Sequence, residues 1–467
     1  MTVFTPIATK DWQEFIRDRR LLIMAVLTMV LALSAIITAF ANVRAYETNR
    51  IASEGKDRIT WENQGERNPH SAAHFATWAF RPQTALSILE PGVTPYAGAA
   101  IWMEAHHQNG ARARAIDDSP IAFDMGRFSV AWILQIVVPL LICIVAAGLV
   151  ARERERGTLH LLLVGGARAD GLLPSKLQAI SGIAAVVSVP VVAAGILASL
   201  LAGPIDPIRL LLWVASYTVF LGIVAMFATA VSALTNSVSS AMLALIGVWC
   251  VAVLLAPRAG VALAEGISPT TSPEAFWDTM DKELADAPNP FADDTFEKEV
   301  LEKYGVATAE ELPVSLAGLK LDQSERNGDV VFDRSFGQLA DTYAEQRTIL
   351  RIASLISPLP ALQNISGALA GTDGLHQLAF QEQAESHRRK VIGALNRDMA
   401  ENAVGQDWDY RADETLWRQT EDFQFTPPNL LTSLQSIWPD LGILGLWAVA
   451  AFAFIRRASH SLERSFA

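Results

Sequence analysis

Four of the eight histidines fall in one short stretch, at His70, His74, His106 and His107. His70 and His74 are spaced i, i+4, so a helix over PHSAAHFATWAF carries both rings on one face. Glu104 stands just before the second pair, and Asp117 and Asp118 follow it. Imidazole with carboxylate suits zinc or copper, and His70, His74, Glu104 and His107 make one candidate ligand set. A catalytic metalloprotease helix needs Glu directly after its first His; here Ser71 occupies that place. Phe75, Trp78, Phe80 and Trp102 lie in the same stretch. A packing cluster of His70, His74, Trp78, Glu104, His106 and His107 is therefore the first reading, with no metal expected, and metal ligation is the alternative.

Nucleotide chemistry is the second candidate. Gly166 and Gly171 have the spacing that opens a phosphate-binding loop, but Leu172 and Leu173 stand where Lys and Ser/Thr belong. Without a Lys on the phosphates and a hydroxyl on magnesium the motif fails, so nucleotide energy has to come from a partner chain. No Ser/His/Asp or Cys/His arrangement follows from the spacing, and no catalytic residue is expected. Cys143 and Cys250 are the two cysteines. Both fall in apolar runs, which leaves the polar segments without disulfides.

A composition of 51% hydrophobic residues with a net charge of −12 fits a chain with separate membrane and water-facing parts. Crossing about 30 Å of hydrocarbon takes roughly 18 or more apolar residues. Six runs qualify, at 21–42, 128–150, 177–202, 208–230, 238–256 and 437–455. Basic residues flank them at Arg17, Arg19 and Arg20, at Arg152, Arg154, Arg156, Arg168 and Lys176, and at Arg456 and Arg457. By the positive-inside rule these flanks and both termini, 1–20 and 456–467, are cytoplasmic. Segments 43–127 and 257–436 then face outwards and are too long for ordinary loops. The second holds about 30 Asp and Glu against about 15 Lys and Arg.

No span carries a charge near its centre, which disfavours an ion-coupled carrier. Asp440, near the start of the sixth, is expected at the interface. Gln135, Pro139 and Pro190 are the main irregularities, and the prolines are expected to kink their helices. In the outer segment, apolar spacing predicts helices over 274–284, 341–356 and 375–403, and loops over 289–294 and 323–329. Asp373 reads as a helix cap. Glu382, Glu385, Arg388 and Arg389 read as an exposed, ion-paired face.

Between the second and third runs, 151–176 reads ARERERGTLHLLLVGGARADGLLPSK. A charged stem leads to a bend at Gly157 and then to an amphipathic helix over 158–164, too short to span. Gly165 and Gly166 stop it, and Pro174 suits the first turn of the next helix. Such a helix fits a protein groove or the lipid surface, and chemistry alone leaves both open.

GTL-x-LLL after a Glu/Arg cluster resembles the first cytoplasmic loop of ABC-2-type transporter permeases, which contains their coupling helix. TKDWQEFIRDRR resembles the elbow helix of the same permeases. NPHSAAHFATWAFRP, LEPGVTPYAG, EAHHQN, SPLPALQNISGALAGTD and ESHRRKVIGALN resemble the DUF3526 group, related to copper-enzyme-maturation type permeases. One departure is Gly165-Gly166-Ala167, where many ABC-2 permeases carry a Pro-containing turn. It leaves the length of the coupling helix open.

The resemblance implies a mostly α fold: a six-helix transmembrane bundle of ABC-2, type V permease-like form, with two large, mainly helical extracytoplasmic insertions. It implies ATPase-coupling residues Glu153, Arg154, Glu155, Arg156, Gly157, Thr158, Leu159, Leu161, Leu162 and Leu163. It also implies elbow residues Trp12, Phe15, Ile16, Arg19 and Arg20. The chain would be a non-catalytic permease subunit of the bacterial inner membrane that binds no cofactor itself. Two copies of a separate ATPase subunit would hold ATP and magnesium. A second permease copy or a similar permease, and a periplasmic protein, are the other expected partners; nucleic acid is not. Export or extraction of a substrate is the expected task. A membrane-anchored metal-binding protein or metalloenzyme, and a non-transporting scaffold or sensor, are the alternatives.

Overall fold

The computed structural model describes residues 4–75, 77–112, 128–165 and 169–464. Asp117, Asp118, Gly166, Ala167 and Arg168 lie outside the described residues, as do the side chains of Arg20 and Leu163. Six described helices are long and apolar enough to cross a membrane: Leu21–Glu62, Val130–Glu155, Gly171–Ala202, Pro207–Leu234, Val238–Ile267 and Leu430–Arg464. The second is the hub, with 72% of its most apolar window buried against 11–39% in the others. Leu22, Ile23, Val26 and Val30 on the first helix and Leu243 on the fifth are exposed, as lipid-facing positions must be.

Two prolines shape this bundle. The π-helical turn Ile133–Val137 directly precedes the segment holding Pro139. A second π-helical turn, Cys250–Leu255, directly precedes Pro257. Proline lacks an N–H and its ring clashes with the carbonyl four residues back, so the preceding turn widens and frees carbonyl groups. Trp249 Nε1 donates to Ile136 O at 3.2 Å, and Ser357 Oγ donates to Ala252 O at 2.8 Å. Each bulge is thus stitched to a neighbouring element. Pro190 sits within the continuous helix Ala169–Ala202.

The first long helix does not stop where its apolar run ends, but continues as one rod over Arg19–Glu62. Arg50 pairs with Glu47 and Glu54, and Arg58 with Glu62, at one-turn spacing, which supports the polar half as a helix. That half anchors both outer segments. Tyr46 OH donates to Arg81 O at 2.6 Å, and Trp61 Nε1 to Trp417 O at 3.1 Å.

The two segments that the basic flanks predict to face outwards, the outer segments, interleave into one body. The first is less helical than expected: strands β1 (Thr77–Phe80) and β2 (Ala100–Met103) form an antiparallel pair with Trp78 opposite Trp102. These two rings stack 6.0 Å apart. The helix Gly374–Asn402 runs between the segments, so that Phe380 and Ala384 pack on Ala79 and Ile101, and Ile392 and Leu395 on Trp61 and Ala72. Asp373 caps this helix, accepting from His376 N at 3.2 Å.

Two local expectations need correction. Residues 323–329 are not a loop but part of the helix Leu316–Ala353; Gln, Ser, Asn and Gly favour turns locally, and tertiary packing overrides them. Arg388 is not on an exposed face: it is 2% exposed and pairs with Glu325, Asp329 and Glu385. Asp440 is fully buried within the protein, its carboxylate held by Arg351 at 3.0 Å and by Asn364 at 2.9 Å.

Removing one partner of a buried ion pair strands the other, at a cost of roughly 3–5 kcal/mol, whereas replacing both by apolar groups is often close to neutral. Arg351→Ala is therefore expected to lower the unfolding midpoint of the detergent-solubilised chain sharply, and Arg351→Leu with Asp440→Leu to restore most of it. Equal losses in the single and double variants would show that the pairing is not what matters.

Candidate coupling site

The charged stem Ala151–Glu155 follows a short unwound stretch after Ala146. Ser232 Oγ bridges that gap, accepting from Val150 N at 3.1 Å and Ala151 N at 3.3 Å and donating to Ala147 O at 3.1 Å. The stem then radiates contacts to several elements. Glu153 accepts from Lys10 Nζ at 2.7 Å and from Thr158 Oγ1, and lies 3.7 Å from Lys176 Nζ. Arg154 donates to Thr235 O, and Glu155 accepts from Val238 N at 3.3 Å, so both grip the turn between the fourth and fifth long helices. Of the expected ATPase-coupling residues, Glu153 and Arg154 are partly buried and engaged within the chain, whereas Glu155 and Arg156 are exposed.

Lys176 is 1% exposed, and its ammonium donates to Asp11 Oδ1 at 2.9 Å. Burial raises the Asp11 carboxyl above its ordinary value, by more than Lys176 lowers it. Asp11 sits on the helix Phe4–Arg17, whose inward face also carries Trp12 and Phe15, while Ile16 and Arg19 are exposed. A Cβ on Gly182 would stand 3.1 Å from the Trp12 ring, so glycine there lets the indole lie against the third long helix. Lys10, Asp11, Glu153 and Lys176 thus join the N-terminal helix, the stem and the third long helix in one network.

Gly157 turns the chain with φ 75°, a left-handed conformation that costs a side-chain-bearing residue. The helix Thr158–Val164 follows. Leu159 is 1% exposed and anchors it in the bundle core, whereas Leu161 and Val164 are 68% and 73% exposed. Leu162 is half-buried and His160 exposed. Two large apolar side chains thus stand clear of this chain's own packing, on a helix fixed from behind.

A residue that sequence scanning missed lies towards the other end of the bundle. Glu90, from the first outer segment, reaches among the long helices: its carboxylate accepts from Ser366 Oγ at 2.8 Å and Gln135 Nε2 at 3.3 Å. Gln135 Nε2 also donates to Tyr217 OH at 2.7 Å, and Trp213 Nε1 donates to Ser366 Oγ at 2.8 Å. A search for charges inside apolar runs cannot find a carboxylate inserted from outside. Gln135 in a span was the visible sign. Beside this network an apolar cavity of about 280 Å³ opens among Pro139, Phe220, Trp249, Ile356, Trp447 and Phe454.

The outer histidines divide. His70, His74 and His106 converge, with His70 Nε2 and His74 Nε2 3.2 Å apart. Burial, with the His106 and His74 rings beside it, lowers the His70 pKa to about 4, and His74 is lowered by burial and His106. Burial raises the Glu325 carboxyl, but hydrogen bonds and charge from His106 and the charge of Arg388 outweigh it and hold the group below the carboxylate range. Of the expected ligand set, His107 is elsewhere, stacked on Trp277 at 5.3 Å, while Glu104 accepts from Asn109 Nδ2 at 2.9 Å and stays near enough for its charge to act on His74. Trp78 belongs to the strand pair.

Residues 99–255, which hold the stem, the short helix, the second to fourth long helices and the first part of the fifth, match the family described as ABC-2 family transporter protein. That match spans less than half of the chain and is a likeness of this region to the membrane domain of ABC-2 transporters. Residues 274–426, within the segment 257–436, match a domain of unknown function, DUF3526. No curated protein matches the chain. An ABC-2 permease domain is typically the non-catalytic membrane subunit of its transporter, and implies a bilayer and an ATPase partner.

Gly182→Leu is expected to push Trp12 off the third long helix. Limited proteolysis should then cut within the first ~20 residues faster than in the unmodified chain, with the remaining fragment pattern unchanged. Unaltered cleavage would mean that Trp12 docking does not hold the N-terminal helix.

Proposed function

We propose that this chain couples ATP hydrolysis on a separate subunit to movement of its own bundle, and that the helix Thr158–Val164 is where the force enters. The observation that carries this reading is the exposed pair Leu161 and Val164 on a helix anchored by Leu159 and followed back into a braced stem. A passive lipid-lying helix needs no brace; a lever does. Glu153 passes load to the elbow helix and third span through Lys10 and Lys176, and Arg154 and Glu155 pass it to the fourth and fifth spans.

In this reading the short helix and both termini are cytoplasmic and the outer body faces the periplasm of a bacterial inner membrane. Two ATPase copies act on this chain and on a second copy or a similar permease. The apolar cavity of about 280 Å³ beside the hub helix supports a lipophilic cargo, exported or extracted from the membrane. A scaffold or sensor would keep working when the partner's ATP hydrolysis is abolished, and a permease would not.

The double substitution Leu161→Glu with Val164→Glu alters only exposed side chains, so the unfolding midpoint should hold. Recovery of an ATPase bearing a phosphate-binding loop with the tagged chain should fall by about tenfold or more, the loss expected when anchor residues of an interface are replaced by charge. Glu153→Gln should leave recovery intact and reduce cargo-stimulated ATPase activity. Unchanged recovery in the double variant would place the ATPase elsewhere.

A further inference from the structure

His70, His74 and His106 each bring one ring nitrogen to within 4.8 Å of the other two. We propose that these three imidazoles form a binding site for a divalent transition metal of the zinc class, backed by Glu325. The inference is independent of the transport reading.

Three positions are fixed by different means. His70 and His74 share a face of the helix Pro69–Phe75. Asn68 caps that helix, its Oδ1 accepting from His70 N at 2.9 Å, and Asn68 Nδ2 is tied to Trp408 O and Tyr410 O. The 3.2 Å between the two Nε2 atoms matches neighbouring ligands of a tetrahedral ion, which stand ~3.3 Å apart when each lies ~2.05 Å from zinc. A hydrogen bond between the two rings accounts for that pair but not for the third ring.

The third ring is placed at a conformational cost. His106 has φ 60°, uncommon for a residue with a side chain. Glu325 Oε1 holds it there, accepting from His106 N at 2.8 Å and from Nδ1 at 2.7 Å. With Nδ1 bound to a carboxylate, the lone pair is directed to Nε2, the nitrogen left for the other two histidines. A carboxylate behind a ligating histidine is the usual means of setting its tautomer and raising its basicity. Glu325 is fixed in turn by Arg388 Nη1 at 3.1 Å. The backbone turn that brings His106 in sends His107 out to Trp277.

The donor set selects the ion. Three imidazoles without a thiolate suit zinc, copper or nickel in the divalent state rather than the hard ions calcium and magnesium. His74 and His106 are exposed, so the site is open on one side, with room for a water as fourth ligand.

The test uses the full chain in detergent, stripped with a chelator and titrated with Zn²⁺ against a chromophoric competitor. One Zn²⁺ per chain is expected. His74→Ala removes an exposed ring, and His106→Gly suits the left-handed backbone; each should weaken binding by at least tenfold. Glu325→Gln should weaken it by about 10–100-fold, as loss of a supporting carboxylate does, and His107→Ala should leave it unchanged. A second readout needs no variant: Co²⁺ should give the intense visible bands of a tetrahedral nitrogen-ligated site, and Zn²⁺ should bleach them. A chain that takes up no Zn²⁺, or that binds it equally after His74→Ala and His106→Gly, overturns the proposal. So does a Co²⁺ spectrum of purely octahedral form.

Discussion

Lys176 is the residue on which the rest of the coupling region depends. An ammonium removed from water costs several kcal/mol unless charge and hydrogen bonds replace its hydration, and here Asp11 and Glu153 do so from two separate elements. The stem is polar, and the N-terminal helix adds this buried ion pair to the apolar contacts of Ile7, Trp12 and Phe15. The charge that is costly to bury thus also helps assemble the parts. Lys10 on the outer edge of the same network is half-exposed, so its contribution is screened and smaller.

The bundle obeys the same rule for backbone groups. Hydrocarbon offers no partner for a freed carbonyl, and both proline bulges find donors on neighbouring helices, Trp249 Nε1 and Ser357 Oγ. The irregular places of the second and fifth helices are thereby the places where helices are joined. Gln135 lies in the first bulge and meets Glu90 and Tyr217 there. Widening a helix at that point supplies room for a polar cluster that regular packing would exclude.

What could be read along the chain was what depends on neighbours in sequence. Apolar length marked all six long helices, Gly157 marked the bend, and Asp373 marked a cap. Contacts between distant residues leave no such mark. Trp61 and Trp417 meet although 356 residues separate them, and nothing local announces that the two outer segments share one core. The histidines show the limit sharply. His106 and His107 are adjacent, both follow Glu104, and the φ of His106 decides which one faces His70 and His74. Residues 323–329 failed differently, because turn-forming side chains were outvoted by a helix whose Glu325 is needed against Arg388. The apolar residues Leu161 and Val164 were visible as such, but their exposure follows from Leu159 turning inward.

The helix Leu316–Ala353 carries both Glu325 and Arg351 without a break. At 1.5 Å per residue those side chains stand ~39 Å apart along one axis. One end leans on the histidine face of the outer body; the other is clasped to Asp440 in the sixth long helix. A rod of that kind transmits displacement without amplifying or absorbing it. Together with the first long helix, Arg19–Glu62, it gives the outer body and the membrane bundle two stiff links.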